Sequence, residues 1–208
     1  MDTKQAEIEL STIKKIMEDS RRVAVDNGKH YIFWGLLVSV ALFINYFMVI
    51  YDVSLNYQGM MWFVLMLGGA LTGAIMEKID HRKRTVHTFA GKLLGTLWFA
   101  SGISMFIFGF LGTVAGAYSA IYICPIIFTV LGVSYYVSAE IQQTSWFKFL
   151  SLGWWAGAAF LFIFPGMHTF LVAGVMLIAF QTLPGFILYR RWRKELNPSI
   201  IKSDNKQL

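Results

Sequence analysis

Four tracts without a charged side chain constrain this sequence more than any other feature. Between Lys29 and Asp52 lie 22 residues with no Asp, Glu, Lys or Arg; Asp52 to Glu77 encloses 24, Lys92 to Glu140 encloses 47, and Lys148 to Arg190 encloses 41. A helix in water shows a polar face every turn or so, and these tracts show none. Soluble domains are about a quarter charged, whereas only 14% of this chain is. The expected fold is therefore all-α: a polytopic membrane helical bundle.

A helix rises about 1.5 Å per residue and the hydrocarbon core is about 30 Å thick, so one crossing takes about 20 apolar residues. The first two tracts hold one span each, residues 31–51 and 60–76. The longer tracts hold two each. Gly112 to Gly116 turns the third, giving residues 93–113 and 117–137, and Pro165-Gly166 breaks the fourth, giving 147–164 and 167–189. This predicts a cytoplasmic amphipathic helix over residues 1–30, six transmembrane helices in three hairpins over 31–189, and a basic cytoplasmic tail over 190–208.

The basic residues set the orientation. All 18 Lys and Arg lie before the first span, between Lys78 and Lys92, at Lys148, or after Tyr189. The connections around Asp52 to Gly59, Gly112 to Tyr118 and Phe164 to His168 hold none. Basic residues are retained in the cytoplasm, so both termini are expected there. The first 30 residues carry 12 charged side chains and no apolar core, so no cleavable signal peptide is read there. The net charge of +6 lies on the same face, beside the anionic leaflet, and reads as membrane-facing; no nucleic acid is implied. Trp34, Trp98, Trp146, Trp154, Trp155 and Trp192 fall toward the inner ends of spans and read as an interfacial belt.

The hairpins look alike. Each outgoing helix opens with a lysine and then a tryptophan, at Lys29 and Trp34, Lys92 and Trp98, and Lys148 and Trp154. Each returning helix carries a glycine near its inner end, at Gly73, Gly132 and Gly185. Parallel repeats about an axis along the membrane normal are one reading; the other is that any helix starting inside opens this way. Residues 6–24 differ in kind, with Ala6, Leu10, Ile13, Met17 and Ala24 at helical spacing. That stripe is expected to cover the inner mouth of the bundle or to meet a protein partner or a second copy.

Ionisable groups inside a span mark function, and mid-membrane positions here have none. This argues against a proton-coupled pump, a charged selectivity ring and an intramembrane aspartyl or metal protease. The polar candidates are Asn45, about 9 Å from the outer end of its span, and Gln181, about 12 Å from the inner end of the last. The depths keep them apart, so each is expected to bond a neighbouring helix, worth about 0.6 to 2 kcal/mol, with solute contact as the alternative. The histidines lack metal spacing, since His81 and His87 are six apart. Pro125, after the single cysteine Cys124, and Pro184 are each expected to bend a helix. Glycines four apart at Gly69 and Gly73, Gly91 and Gly95, and Gly153 and Gly157 allow close helix approach. Arg82, Lys83, Arg84, Arg190, Arg191, Arg193 and Lys194 are candidate contacts for anionic lipid, although topology alone accounts for them. No phosphate loop, nucleophile elbow or zinc motif occurs. No cofactor or metal is implied. An enzyme acting on lipid would need a polar cluster near the inner interface, and Gln142-Gln143-Thr144-Ser145 is the one stretch that offers it.

Residues Glu9 to Arg22, ELSTIKKIMEDSRR, lead into Gly28 to Gly35, GKHYIFWG. These segments resemble the start of a group of uncharacterised bacterial six-span integral membrane proteins. The resemblance implies a bacterial inner membrane and no particular activity. The function expected is non-enzymatic, through association with partner proteins or with itself; the alternative is a transporter or channel for a neutral or amphipathic solute.

Overall fold

The computed structural model describes Ser11 and residues 28–83 and 89–196, without the side chains of residues 80–83, 89, 195 and 196. Among the described residues there is no strand, and six helices are long and apolar enough to cross a membrane. We number them α1 to α6. Helix α1 is Lys29–Ile50, α2 is Leu55–Lys83, α4 is Ile123–Gln142 and α5 is Ser145–Ile163. Helix α3 runs from Phe89–Phe106 through a π segment, Ile107–Leu111, into Gly112–Val114. Helix α6 runs from His168–Leu177 through a second π segment, Ile178–Thr182, into Leu183–Leu196.

Successive helices run in opposite directions, as contacts at the two ends show. At one end His30 Nε2 lies 3.1 Å from Glu77 Oε2, the Lys29 ammonium lies 5.3 Å from the Trp192 ring, and the Arg191 guanidinium 5.8 Å from the Trp146 ring. Lys148, 2.6 Å from Glu140, belongs to the same end. At the other end Val49, Asp52, Leu55 and Gln58 share a depression with Ala120, Ile121, Met167 and Phe170. The described molecule thus has a basic face and a face whose only Asp or Glu is Asp52.

The tightest packing lies between hairpins. Helix α4 packs along α5, and α1 packs along α6; α3 lies on α4, and α2 on α1. Gly28 has φ 69°, a left-handed conformation that favours glycine, and a Cβ there would strike the Gly185 carbonyl oxygen. A Cβ on Gly185 would stand 2.9 Å from the Ile32 nitrogen. These two glycines let α1 and α6 touch backbone to backbone. The core holds Tyr31, Leu42, Phe128, Leu131, Tyr135, Phe147, Trp154 and Leu161. Helices α2 and α3 contribute little: 11% of the most apolar stretch of α2 is buried, and 6% of that of α3.

The repeat-like positions play three different parts. Trp34 fits beside Gly69 and Gly73, Trp98 packs edge-on to Tyr31 and Tyr135, and Trp154 is fully enclosed. Gly132 receives Trp155, whereas Gly185 receives α1. Trp154 therefore belongs to the core, and Trp98, partly buried, packs against it. Glycine pairing also differs from expectation: Gly153 and Gly157 receive the Phe180 ring and the Met176 thioether, side chains in place of a helix backbone. Pro125 falls in the first turn of α4, which opens behind a 3-10 turn, Ala120–Tyr122. A first-turn proline leaves no ladder bond unmade, so the cause expected for a bend there is absent. Pro184 lies two residues beyond the π segment of α6. Its missing N–H interrupts the α ladder, and a π turn is one way a helix re-registers its bonds around such a gap.

Candidate functional site

In a span the backbone bonds itself, so specificity falls to the few polar side chains. Besides the ion pairs of His30 with Glu77 and Lys148 with Glu140, four hydrogen bonds of uncharged side chains join one helix to another among the described residues. Trp62 Nε1 donates to Asn45 Oδ1 at 3.0 Å, joining α2 to α1. Ser39 Oγ donates to the Gly174 carbonyl at 3.1 Å, joining α1 to α6. Ser101 and Ser134 share a 2.7 Å bond between α3 and α4, and Trp155 Nε1 donates to the Thr129 carbonyl at 3.3 Å between α5 and α4. Asn45, 3% exposed, is therefore a helix-joining residue. The three serines have no distinguishing sequence context, and nothing in their spacing announces them.

Gln181 differs. It sits in the π segment of α6, 6% exposed, facing Gly35 of α1, and its Oε1 has no hydrogen-bond partner. Thr182 Oγ1 beside it also lacks one, as do Trp154 Nε1 on α5 and Ser138 Oγ on α4. Trp154 is bracketed by Phe128 at 4.8 Å, Phe180 at 5.8 Å and Tyr135 at 5.9 Å between ring centroids. Tyr135 is in turn surrounded by Tyr31, Trp98 and Phe147 at 5.5 to 5.7 Å. The half of the bundle toward the basic end is thus an aromatic cluster threaded with neutral hydrogen-bonding groups. Its unpartnered atoms, Trp154 Nε1, Ser138 Oγ, Thr182 Oγ1 and Gln181 Oε1, are all uncharged donors or acceptors.

The basic end is different again. Arg190, Arg191, Arg193 and Lys194 follow one another on the last turns of α6, and none has an acidic partner among the described residues. Arg190 lies 4.5 Å from the Phe186 ring of its own helix. The side chains of Arg82 and Lys83, the whole of Arg84, and residues 6–24 except Ser11 lie outside the described residues, so their expected roles do too. Among the described residues no three His, Cys, Asp or Glu side chains group as a metal site.

The opposite face holds the open depression, about 350 Å³, lined by Asp52, Gln58, Phe170 and their neighbours. Gln58 Nε2 donates to the Val53 carbonyl at 2.7 Å and shapes its rim. The outer face of α2 and α3 is apolar, with Phe63, Val64, Leu67, Leu71, Phe99 and Ile103 exposed. Phe63 of α2 and Phe110 of α3 have ring centroids 6.0 Å apart, a ring contact between two helices that otherwise pack little on each other. Gly68, Gly95 and Gly102 on them have no atom within 4 Å of the place a Cβ would occupy. No protein-family model, no curated protein and no solved structure matches the chain.

Proposed function

We propose that this is a non-enzymatic protein of a bacterial inner membrane, with both chain ends cytoplasmic, that acts by association within the membrane plane. A second copy of the chain is the first partner to test, and a different membrane protein the other. One observation carries the reading: α2 and α3 are almost unburied and present Gly68, Gly95 and Gly102 to empty space. A glycine inside a helix costs about 1 kcal/mol relative to alanine, and these three gain no packing within the chain. Between helices in lipid, small residues let backbones approach and are the usual seam of association. The asymmetry in Lys and Arg supports the orientation.

The test is disulfide cross-linking in native membranes, with single cysteines at Gly68, Gly95 and Gly102 in a Cys124→Ala background. Self-association predicts dimers at these positions and none at Leu152 on α5. Gly95→Leu with Gly102→Leu should dissociate the complex while leaving the monomer folded. A monomer throughout, with no co-purifying membrane protein, would sink the proposal.

The unpartnered Gln181 Oε1 favours a second reading, a pathway for a neutral or amphipathic solute. If Gln181 anchors water or solute in the bundle, Gln181→Leu lowers thermal stability. If its oxygen is an isolated buried acceptor, that substitution is neutral or stabilising, and the second reading loses its support.

A further inference from the structure

We propose that the junction of the α4–α5 turn with the end of α6 is a binding site for the phosphate of an anionic phospholipid. Two donors are in contact here, Arg191 and Trp146, and a third, on Gln142, lies at the end of α4 just before the turn. The Arg191 guanidinium lies 5.8 Å from the Trp146 ring centre, which orients it from α6 toward the start of α5. Trp146 Nε1 is buried and has no hydrogen-bond partner. Gln142 Nε2, at the last residue of α4, is likewise buried and unpartnered.

An unpaired buried donor keeps its desolvation cost until an acceptor arrives. An indole N–H accepts nothing, and a guanidinium has five donors in a planar fork that matches phosphate oxygens. No carboxylate among the described residues neutralises Arg191; the nearby acid Glu140 is taken by Lys148 at 2.6 Å. The turn adds to the field. Gln143 has φ 51° and Thr144 is extended, so α5 starts abruptly at Ser145 with its positive dipole end at this junction.

Position selects lipid over a free anion. Trp146 has its ring against Phe147 in the bundle, while Phe149 and Leu152 of α5 and Leu183 and Ile187 of α6 are exposed along the flanks running into the bilayer. An acyl chain has an apolar surface to follow from the phosphate inward. Arg193 and Lys194, exposed and without ring contacts, add only diffuse attraction.

The experiment uses full-length protein in neutral detergent, with lipid added as mixed micelles. Retained lipid is read by native mass spectrometry and protection by thermal unfolding. Phosphatidylglycerol should be retained over phosphatidylcholine and raise Tm. Arg191→Gln should lower retained phosphatidylglycerol about fivefold, the equivalent of about 1 kcal/mol for one basic residue at an anionic surface. Arg191→Lys keeps the charge and loses the fork, so it should recover only part of the retention. Trp146→Phe keeps the ring and removes the N–H; it should lower retention with Tm in lipid-free detergent unchanged. Arg193→Gln should have a smaller effect than Arg191→Gln. Equal retention of the two lipids overturns the proposal, as does undiminished binding in both Arg191→Gln and Trp146→Phe. Inorganic phosphate matching the phosphatidylglycerol-induced rise in Tm would replace the lipid with a free anion. Should Arg191→Gln not fold, Trp146→Phe and Gln142→Leu decide the matter.

Discussion

Trp62 and Asn45 are 17 positions apart in sequence and 3.0 Å apart in space, an indole N–H on an amide oxygen. Since α2 is otherwise held loosely, this bond is a main tie between it and the bundle. Asn45→Leu and Trp62→Phe should each lower stability by about 0.6 to 2 kcal/mol. The double variant should be little worse than either single one. Reversible unfolding in mixed micelles measures the cycle, and strictly additive losses would show the bond contributes nothing.

The contact between Gly28 and Gly185 predicts a sharp contrast among glycines. Gly28→Ala puts a side chain into a left-handed backbone and onto a carbonyl, for a loss of about 2 kcal/mol or more. Gly185→Ala meets the Ile32 nitrogen and should lose about 1 to 3 kcal/mol. Gly102→Ala meets nothing and should be neutral or gain a few tenths of a kcal/mol in the isolated monomer. Tm shifts in detergent report all three.

Trp154 is fully enclosed, yet its N–H has no acceptor. Trp154→Phe removes that donor and part of the ring, so it should cost far less than the about 3 to 5 kcal/mol expected for Trp154→Ala. Equal losses for the two substitutions would mean that the N–H is satisfied by an internal water or bound molecule.

Cys124 is 7% exposed and is the chain's single thiol. A maleimide should label the native protein slowly and the denatured protein fully. In the Cys124→Ala background, a cysteine at Gln58 should be labelled by a membrane-impermeant reagent from outside intact cells. One at Arg193 should react only after the cytoplasmic side is opened. The reverse pattern would invert the orientation proposed for the protein.

The spans were legible in the sequence because charge is excluded from lipid, and that rule acts residue by residue. Asn45 stood out for the same reason, and a bond to a neighbouring helix is what the structure gives it. Helix partners were not legible. The likeness of Lys29 and Trp34 to Lys148 and Trp154 pointed to equivalent hairpins, but Trp34 ends beside two glycines and Trp154 inside a ring of aromatics. Every side of these helices is apolar, so no polar stripe says which face turns inward. Ser39, Ser101 and Ser134 show the same limit: a small hydroxyl in a span bonds its own helix or another equally well. Gln181 was visible as a polar residue, but nothing around it announced a π segment, and α3 forms one at Ile107–Leu111 with no proline near it.

The pairing of α1 with α6 has a consequence for biogenesis. Of the six described spans, the first is the neighbour of the sixth, so it waits for its partner while four others are threaded in between. Contacts this distant along the chain form late. Any truncation that stops synthesis before α6 strands the Gly28 corner without its mate and offers it to quality control.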